Sequence, residues 1–267
     1  MSDEAAGLHA WTSTGWRTVD WCDPHEGRML VADSWRVREG RVRGLEQHRA
    51  RFLGAVADRH PDAEAAVDAA LALIPRTGDW FPRIELRERA TGPDAGQAGT
   101  ALALRLRPTP PTRSTAVLAT APHDPRRHPL VKGPDLDALQ RLRVVVQPCG
   151  ADEAVIVDAH GCIVEGAYSG LLWWRGATLV QPDEALARIP SVTVSLVLEA
   201  ARAAGVPVAS ERITPAGLAD CEVWVLSALH GLRTAISWVD GPSLAAPTRA
   251  EDGRRWLAST ERPLPTP

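Results

Sequence analysis

From Glu153 onward the chain reads as strand after strand, and a single long apolar helix interrupts the series. Glu153-Ala154-Val155-Ile156-Val157-Asp158 is a short apolar run with strand character, Ala159-His160-Gly161 is a turn, and Cys162-Ile163-Val164 returns. Leu171–Trp174 and Ala177–Val180 form a second hairpin around Arg175-Gly176. Thr193–Ala204 is a strongly apolar helix that stops at Gly205, a residue suited to a helix C-terminus. Val206–Ile213, Val223–Leu226 and Leu232–Val239 go back to strand. Consecutive strands of this kind do not fit the strict alternation of a doubly wound parallel sheet, so an α+β fold is expected.

The first half is more mixed. Strand-like Arg28–Ala32 precedes a helix opening at Gly44-Leu45, with Leu45, Phe52, Leu53 and Val56 as its apolar stripe. A second helix is expected from Pro61 to Leu73, then strands at Arg83–Arg89, Ala101–Arg107 and Ala116–Ala119, and a helix at Asp135–Val145. Residues 119–130 are rich in Pro, Arg and His and read as an interdomain connection. The expected organisation is a small domain over residues 1–118, a linker over 119–130 and a larger domain over 131–267, ending in a loose Pro-rich tail from Pro263 to Pro267. A length of 267 residues suits one or two domains.

Composition narrows the function. A formal charge of −3 provides no basic field for nucleic acid. No uncharged apolar run reaches the roughly 18 residues of a membrane helix. Met1–Gly7 is acidic and lacks the apolar region of a signal peptide. Cys22, Cys149, Cys162 and Cys221 include no CxxC pair, which predicts reduced, mostly buried thiols, a cytoplasmic setting and no metal site. There is no G-x-S-x-G elbow, since Ser169 stands one place off within Gly166–Gly170, and no phosphate loop, dinucleotide fingerprint or H-E-x-x-H.

Of the 30 basic residues only Lys132 is a lysine. Arginine cannot replace lysine where a deprotonatable amine is needed. A lone lysine therefore directs attention to imine chemistry with pyridoxal phosphate. Such chemistry needs a carboxylate for the ring nitrogen, donors for the phosphate and cations for a substrate carboxylate.

Five segments, in order, resemble the class IV aminotransferases, the fold-type IV pyridoxal-phosphate enzymes that include branched-chain and D-amino-acid aminotransferases and aminodeoxychorismate lyase. Arg36–Val42 followed by Leu45-Glu46-Gln47-His48-Arg49-Ala50-Arg51-Phe52 looks like the entry strand and the H-x-x-R helix. Leu130-Val131-Lys132-Gly133-Pro134-Asp135 is similar to the segment carrying the imine lysine. Gly150–Asp158 and Gly161-Cys162-Ile163-Val164-Glu165-Gly166 form the most specific string. Ile189-Pro190-Ser191-Val192-Thr193 resembles one phosphate loop, and Glu222–Gly231, with Ser227-Ala228-Leu229-His230-Gly231, the other. The resemblance runs from about Arg28 to Gly241.

The resemblance implies a two-domain fold-type IV enzyme with a small α/β N-terminal domain and a larger barrel-like C-terminal domain, the cofactor between them, working as a homodimer. It implies Lys132 as the imine lysine and general base, Glu165 on the pyridine nitrogen, and Arg51, Val192, Thr193, Ser227 and Ala228 around the phosphate. Ser34 aligns with a hydroxyl residue that assists proton transfer in the lyases. Arg105, Arg107 and Arg113 are candidates for a substrate carboxylate. The chain departs from the pattern at Asp137, where a tyrosine is common, and at Gly170, Ser191 and Ala228. The expected function is amino-acid transamination through the lysine imine. The alternatives are a lyase releasing pyruvate and 4-aminobenzoate from aminodeoxychorismate, and a degenerate member without catalysis.

Overall fold

A computed structural model describes residues 6–19, 27–88 and 99–265. Cys22, Arg89 and the two ends of the chain, all of which figure in the expectations above, lie outside them. The chain divides into two compact units. Unit 1 comprises Met1–Pro111, Val131–Pro134 and Glu261–Pro267; unit 2 comprises Thr112–Leu130 and Asp135–Thr260.

Unit 1 contains strands β1 (Gly7–Thr12), β2 (Gly15–Val19), β3 (Met29–Ser34), β4 (Val37–Arg38) and β5 (Arg41–Arg43), then helices α1 (Leu45–Val56) and α2 (Ala63–Leu73). Strands β6 (Asp79–Trp80), β7 (Arg83–Glu88) and β8 (Thr100–Leu106) follow. Its main sheet is antiparallel in the order β2-β1-β8-β7-β3. Alternation puts Val31, Ile84, Leu86, Leu102 and Leu106 on one face, where they form a core with Phe52 and Val56 of α1 and Val67 and Leu71 of α2. Each such side chain taken from water contributes about 1.5–3 kcal/mol. The opposite face carries arginines.

The tryptophans near the N-terminus are used inside this unit. Trp11 and Trp16 meet edge to face at 5.3 Å, Trp16 Nε1 donates to the Ala66 carbonyl at 3.0 Å, and Trp35 is in the core. The α1 stripe matches at Leu45, Phe52 and Val56, but His48 rather than Leu53 is the fourth buried position.

Unit 2 begins with β9 (Thr115–Thr120) and continues with α3 (Leu136–Val146), β10 (Glu153–Val157), β11 (Ile163–Gly166), β12 (Gly170–Arg175) and β13 (Thr178–Pro182). Helix α4 (Val192–Ala203), β14 (Val208–Glu211), β15 (Val223–Ser227), β16 (Gly231–Val239) and α5 (Ala250–Ser259) complete it. The eight strands form one half-barrel sheet in the order β11-β10-β9-β16-β15-β12-β13-β14. It is mixed: β9 runs parallel to both β10 and β16, and β13 is parallel to β14. Helices α4 and α5 pack on one core of this sheet and α3 on another.

Three expectations on organisation are corrected. Strand β9 belongs to the half-barrel sheet rather than to the small domain, because its main-chain partners are β10 and β16. The 119–130 stretch is not a free linker: Ala121 is buried and the Arg126 side chain is 5% exposed, both in unit 2, while Val131–Pro134 counts with unit 1. The Pro-rich end is not loose through residue 264. Strand β17 (Glu261–Pro263) pairs with β5, and Leu264, 3% exposed, donates its amide to the Gly40 carbonyl at 2.7 Å. Among the thiols, Cys149 is exposed, Cys162 half-buried and Cys221 buried, and burial pushes the Cys221 thiol up.

Candidate active site

The lysine is built into unit 1 by its backbone. The carbonyl of Lys132 accepts from the Ala32 amide at 2.7 Å, so the lysine segment lies along the outer edge of β3. Gly133 makes this approach possible. Its φ is +130°, and a Cβ there would stand 2.6 Å from the Ala32 nitrogen and 2.8 Å from the Val31 carbonyl carbon. An L side chain rarely adopts that backbone and could not fit the space. Lys132 itself is half-buried.

Next to it, the buried Asp33 and His48 and the half-buried Arg51 form one cluster. Arg51 grips Asp33 with two parallel bonds, Nε to Oδ2 and Nη2 to Oδ1, both 2.8 Å. His48 Nδ1 donates to the same carboxylate at 2.8 Å, and the Ser34 amide donates to it at 2.7 Å. Burial alone would raise the Asp33 carboxyl, but His48 and Arg51 outweigh it and hold Asp33 well below the usual carboxylate range. Burial pushes the His48 imidazole down; Asp33 opposes this, while Arg51 and Lys132 add to the fall. At neutral pH His48 is thus a neutral donor to an ionised Asp33. Two of the guanidinium's donor nitrogens are committed to Asp33, a commitment of Arg51 that sequence did not reveal.

The arginine face of unit 1 holds two of the expected substrate-binding residues. Arg83 on β7 and Arg105 on β8 are directly opposite, Ser34 on β3 is opposite Arg83, and Arg107 follows two residues after Arg105. The third, Arg113, is in unit 2, exposed and ion-paired with Asp152.

Unit 2 carries the remaining expected residues. Glu165 on β11 is 7% exposed, and its Oε1 accepts from Arg126 Nη1 at 2.6 Å. Arg126 also forks onto Asp124. Burial would lower the Arg126 guanidinium, but Asp124 and Glu165 raise it above its ordinary value. Glu165 borders a cavity of about 610 Å³, whose wall also includes Gly170, Arg188, Ser191 and Val194.

Val192 and Thr193 are the first two residues of α4, both buried. The Ser191 hydroxyl caps the helix by accepting from the Val194 amide at 3.3 Å. First-turn amides have no acceptor inside their own helix and suit an anion. Gly170 lets β12 approach this turn, since a Cβ there would stand 2.4 Å from Val194 Cγ2. That is a steric reason for glycine at one departure from the family pattern. Ser227 ends β15, and its Oγ accepts from the His230 amide at 3.2 Å, closing the turn that carries Ala228. Tyr168 is tied to α3, its hydroxyl 3.2 Å from the Leu136 carbonyl and 3.0 Å from Gln140 Oε1. Asp137 is exposed in the first turn of α3.

These residues have the donor types that pyridoxal phosphate requires. Lys132 supplies the amine, Glu165 a buried carboxylate suited to a protonated ring nitrogen, and the start of α4 offers amides and the Thr193 hydroxyl for phosphate. Sequence reasoning missed Asp33, His48, Arg83 and Arg126 as parts of these clusters. His48 and Arg51 are three apart on α1 and so share a helix face, a spacing that could have signalled their common partner. Arg126 was hidden in a stretch read as linker.

Comparison with known proteins agrees with this architecture. The family model for amino-transferase class IV matches residues 30–238. A fold IV-transaminase from Curtobacterium pusillum is similar over 96% of this chain and 96% of its own, with TM-score 0.78 and 18% identity. The branched-chain aminotransferase from Thermoproteus uzoniensis with norvaline covers 96% of this chain and 99% of its own, with TM-score 0.81 and 18% identity. An aminotransferase from Brucella abortus bound to PLP matches 94% of this chain and 98% of its own, with TM-score 0.76 and 18% identity. At these identities the structural likeness shows the fold. A search of curated proteins gives no match. The matched family model covers most of the chain, which therefore belongs to the class IV aminotransferases, enzymes that use pyridoxal phosphate.

Proposed function

We propose that this protein transfers an amino group from an amino acid to a keto acid, with Lys132 as the residue that holds the cofactor. The observation that carries this reading is the placement of the chain's single lysine: its carbonyl is bonded to Ala32 on β3, and Gly133 permits the contact. When bound, pyridoxal phosphate supplies an electron sink for the carbon that loses its proton.

The chain's own residues do the rest. With the cofactor bound, the Lys132 amine would take the proton from the substrate α-carbon as general base and return it. Glu165, whose Oε1 accepts from Arg126, would take the hydrogen bond of the ring nitrogen. The Val192 and Thr193 amides, the Thr193 hydroxyl, the Ser227–Ala228 turn and Arg51 bind the phosphate. Arg105 and Arg107 orient the substrate carboxylate, and Arg113 serves an exposed ion pair with Asp152 in unit 2.

A second reading is a lyase that releases pyruvate and 4-aminobenzoate from aminodeoxychorismate. The placement of Ser34 opposite Arg83, and the tethering of Tyr168 to α3, favour it. A homodimer is part of both readings, supported by the exposed apolar side chains of Val144 and Val145 on α3 and Ile236 on β16. A cytoplasmic setting is supported by the unpaired thiols of Cys149, Cys162 and Cys221. Among the described residues no helix is long and apolar enough to cross a membrane.

The deciding measurement is the absorption spectrum with added pyridoxal phosphate, for wild type and Lys132→Ala. A visible band in the wild type alone is expected. No band in the wild type, or the same band in the variant, overturns the enzyme reading and favours a degenerate member. Loss of the band on adding amino acid, with keto acid released, supports transamination; pyruvate and 4-aminobenzoate formed without a keto acceptor support the lyase.

A further inference from the structure

The turn that carries Ala228 is short. Ser227 on β15 pairs with Gly231 on β16, which leaves Ala228, Leu229 and His230 as a three-residue loop. Gly231 has φ +69°, the left-handed conformation with which such a loop re-enters its strand. All three loop residues are half-buried. Ala228 brings no hydroxyl, so what the turn offers an anion is its backbone amides and the Ser227 O–H. An amide cannot swing toward a ligand as a long side chain does. Its aim is set by where the turn is held.

His230 holds the turn at two points. Its amide donates to Ser227 Oγ at 3.2 Å, which uses that hydroxyl as an acceptor and leaves its O–H as a donor. Its ring accepts the Arg113 amide at Nδ1, at 3.2 Å. A backbone N–H can only donate, so Nδ1 carries the lone pair.

Arg113 is anchored in its turn. Its guanidinium pairs with Asp152, whose Oδ2 accepts from the Val117 amide at 3.0 Å. The carbonyl of the next residue, Ser114, accepts from the Thr234 amide at 2.9 Å, and β9 then runs parallel to β16 with Thr115 opposite Thr234. The bond from Arg113 to His230 therefore ties the tip of the β15–β16 hairpin to a segment fixed on the half-barrel sheet. A turn already held loses less freedom when a ligand binds, and that strengthens binding.

We propose that His230 is a positioning residue for the cofactor phosphate: by accepting the Arg113 amide, its Nδ1 fixes the Ser227–Ala228 turn that binds that phosphate. This inference rests on the function proposed above, because it takes the turn as part of the phosphate site.

Pyridoxal, which lacks the phosphate, separates this role from a general contribution to folding. The affinities of pyridoxal phosphate and of pyridoxal are read by titrating the band at Lys132 in the whole chain. His230→Ala is expected to weaken pyridoxal phosphate by about three- to tenfold, the range for one hydrogen bond, and to leave pyridoxal unchanged. His230→Asn, whose Oδ1 can accept where Nδ1 does, is expected to restore most of the loss. Equal weakening of both ligands in His230→Ala, no weakening of either, or a His230→Asn variant as weak as His230→Ala overturns the proposal. With a band present in the wild type, any of those three results sinks the role of His230 alone. No band with either ligand in the wild type sinks the function on which this role rests, and the role with it.

Discussion

Arg126 and Glu165 share a hydrogen bond of 2.6 Å between Nη1 and Oε1, with side chains 5% and 9% exposed. The guanidinium stays protonated, and despite burial Asp124 and Glu165 raise it further above its ordinary value. Removing the arginine takes a cation from between Glu165 and Asp124. Arg126→Gln is predicted to destabilise the protein by about 3 kcal/mol, read as a lower urea midpoint. Glu165→Gln keeps the shape and removes the charge. It is predicted to lower turnover by about a hundredfold or more while the Lys132 band still forms.

The Lys132–Ala32 contact gives a second prediction. Gly133→Ala forces a Cβ to within 2.6 Å of the Ala32 nitrogen in a backbone already at φ +130°. The expected result is about 1–3 kcal/mol of lost stability and weaker cofactor affinity in a spectral titration. Lys132→Arg retains the positive charge and is predicted to show no visible band, because a guanidinium does not deprotonate to a nucleophile. A band in that variant would place the imine elsewhere.

The Asp33 cluster gives a pH prediction. Its folded carboxyl lies below the unfolded value of about 3.9, so its contribution is complete above roughly pH 4 and is lost as pH falls through the folded value. Asp33→Asn leaves the half-buried Arg51 charge without its fork and is predicted to cost about 3 kcal/mol at neutral pH. The gap between wild type and variant should narrow as pH drops below about 4, measured by denaturant midpoints across that range.

Leu264 tests the returning C-terminus. Leu264→Ala is predicted to destabilise the protein by about 2–5 kcal/mol, the range for truncating a buried leucine, with a matching fall in Tm. A change near zero would indicate that the strand pairing of Glu261–Pro263 with β5 contributes little to unit 1.

Most elements of the half-barrel could be placed from the chain alone. The strand Glu153–Val157, the hairpin around Arg175-Gly176 and helix α4 are each legible because apolar period and turn residues are local properties. Helix α5 was not legible. Its buried positions, Ala250, Gly253 and Leu257, share one face, but two of the three are small and Glu251, Asp252, Arg254 and Arg255 make the helix strongly charged. The hairpin of β1 and β2 was missed for a similar reason, since its residues are half-buried or exposed along both strands.

The sequence by itself determined the fold class, the family and the identity of the one amine on which the chemistry depends, because these follow from residue type and order. Tertiary structure decided the partners. It alone joined Asp33 to Arg51 across 18 residues, Arg126 to Glu165 across 39, and brought Arg83 opposite Arg105. It also returned the last strand to unit 1 and moved β9 into the sheet of unit 2. The physical reason is that a charge acts on whatever lies within a few ångströms, and sheet register and chain crossovers set that distance.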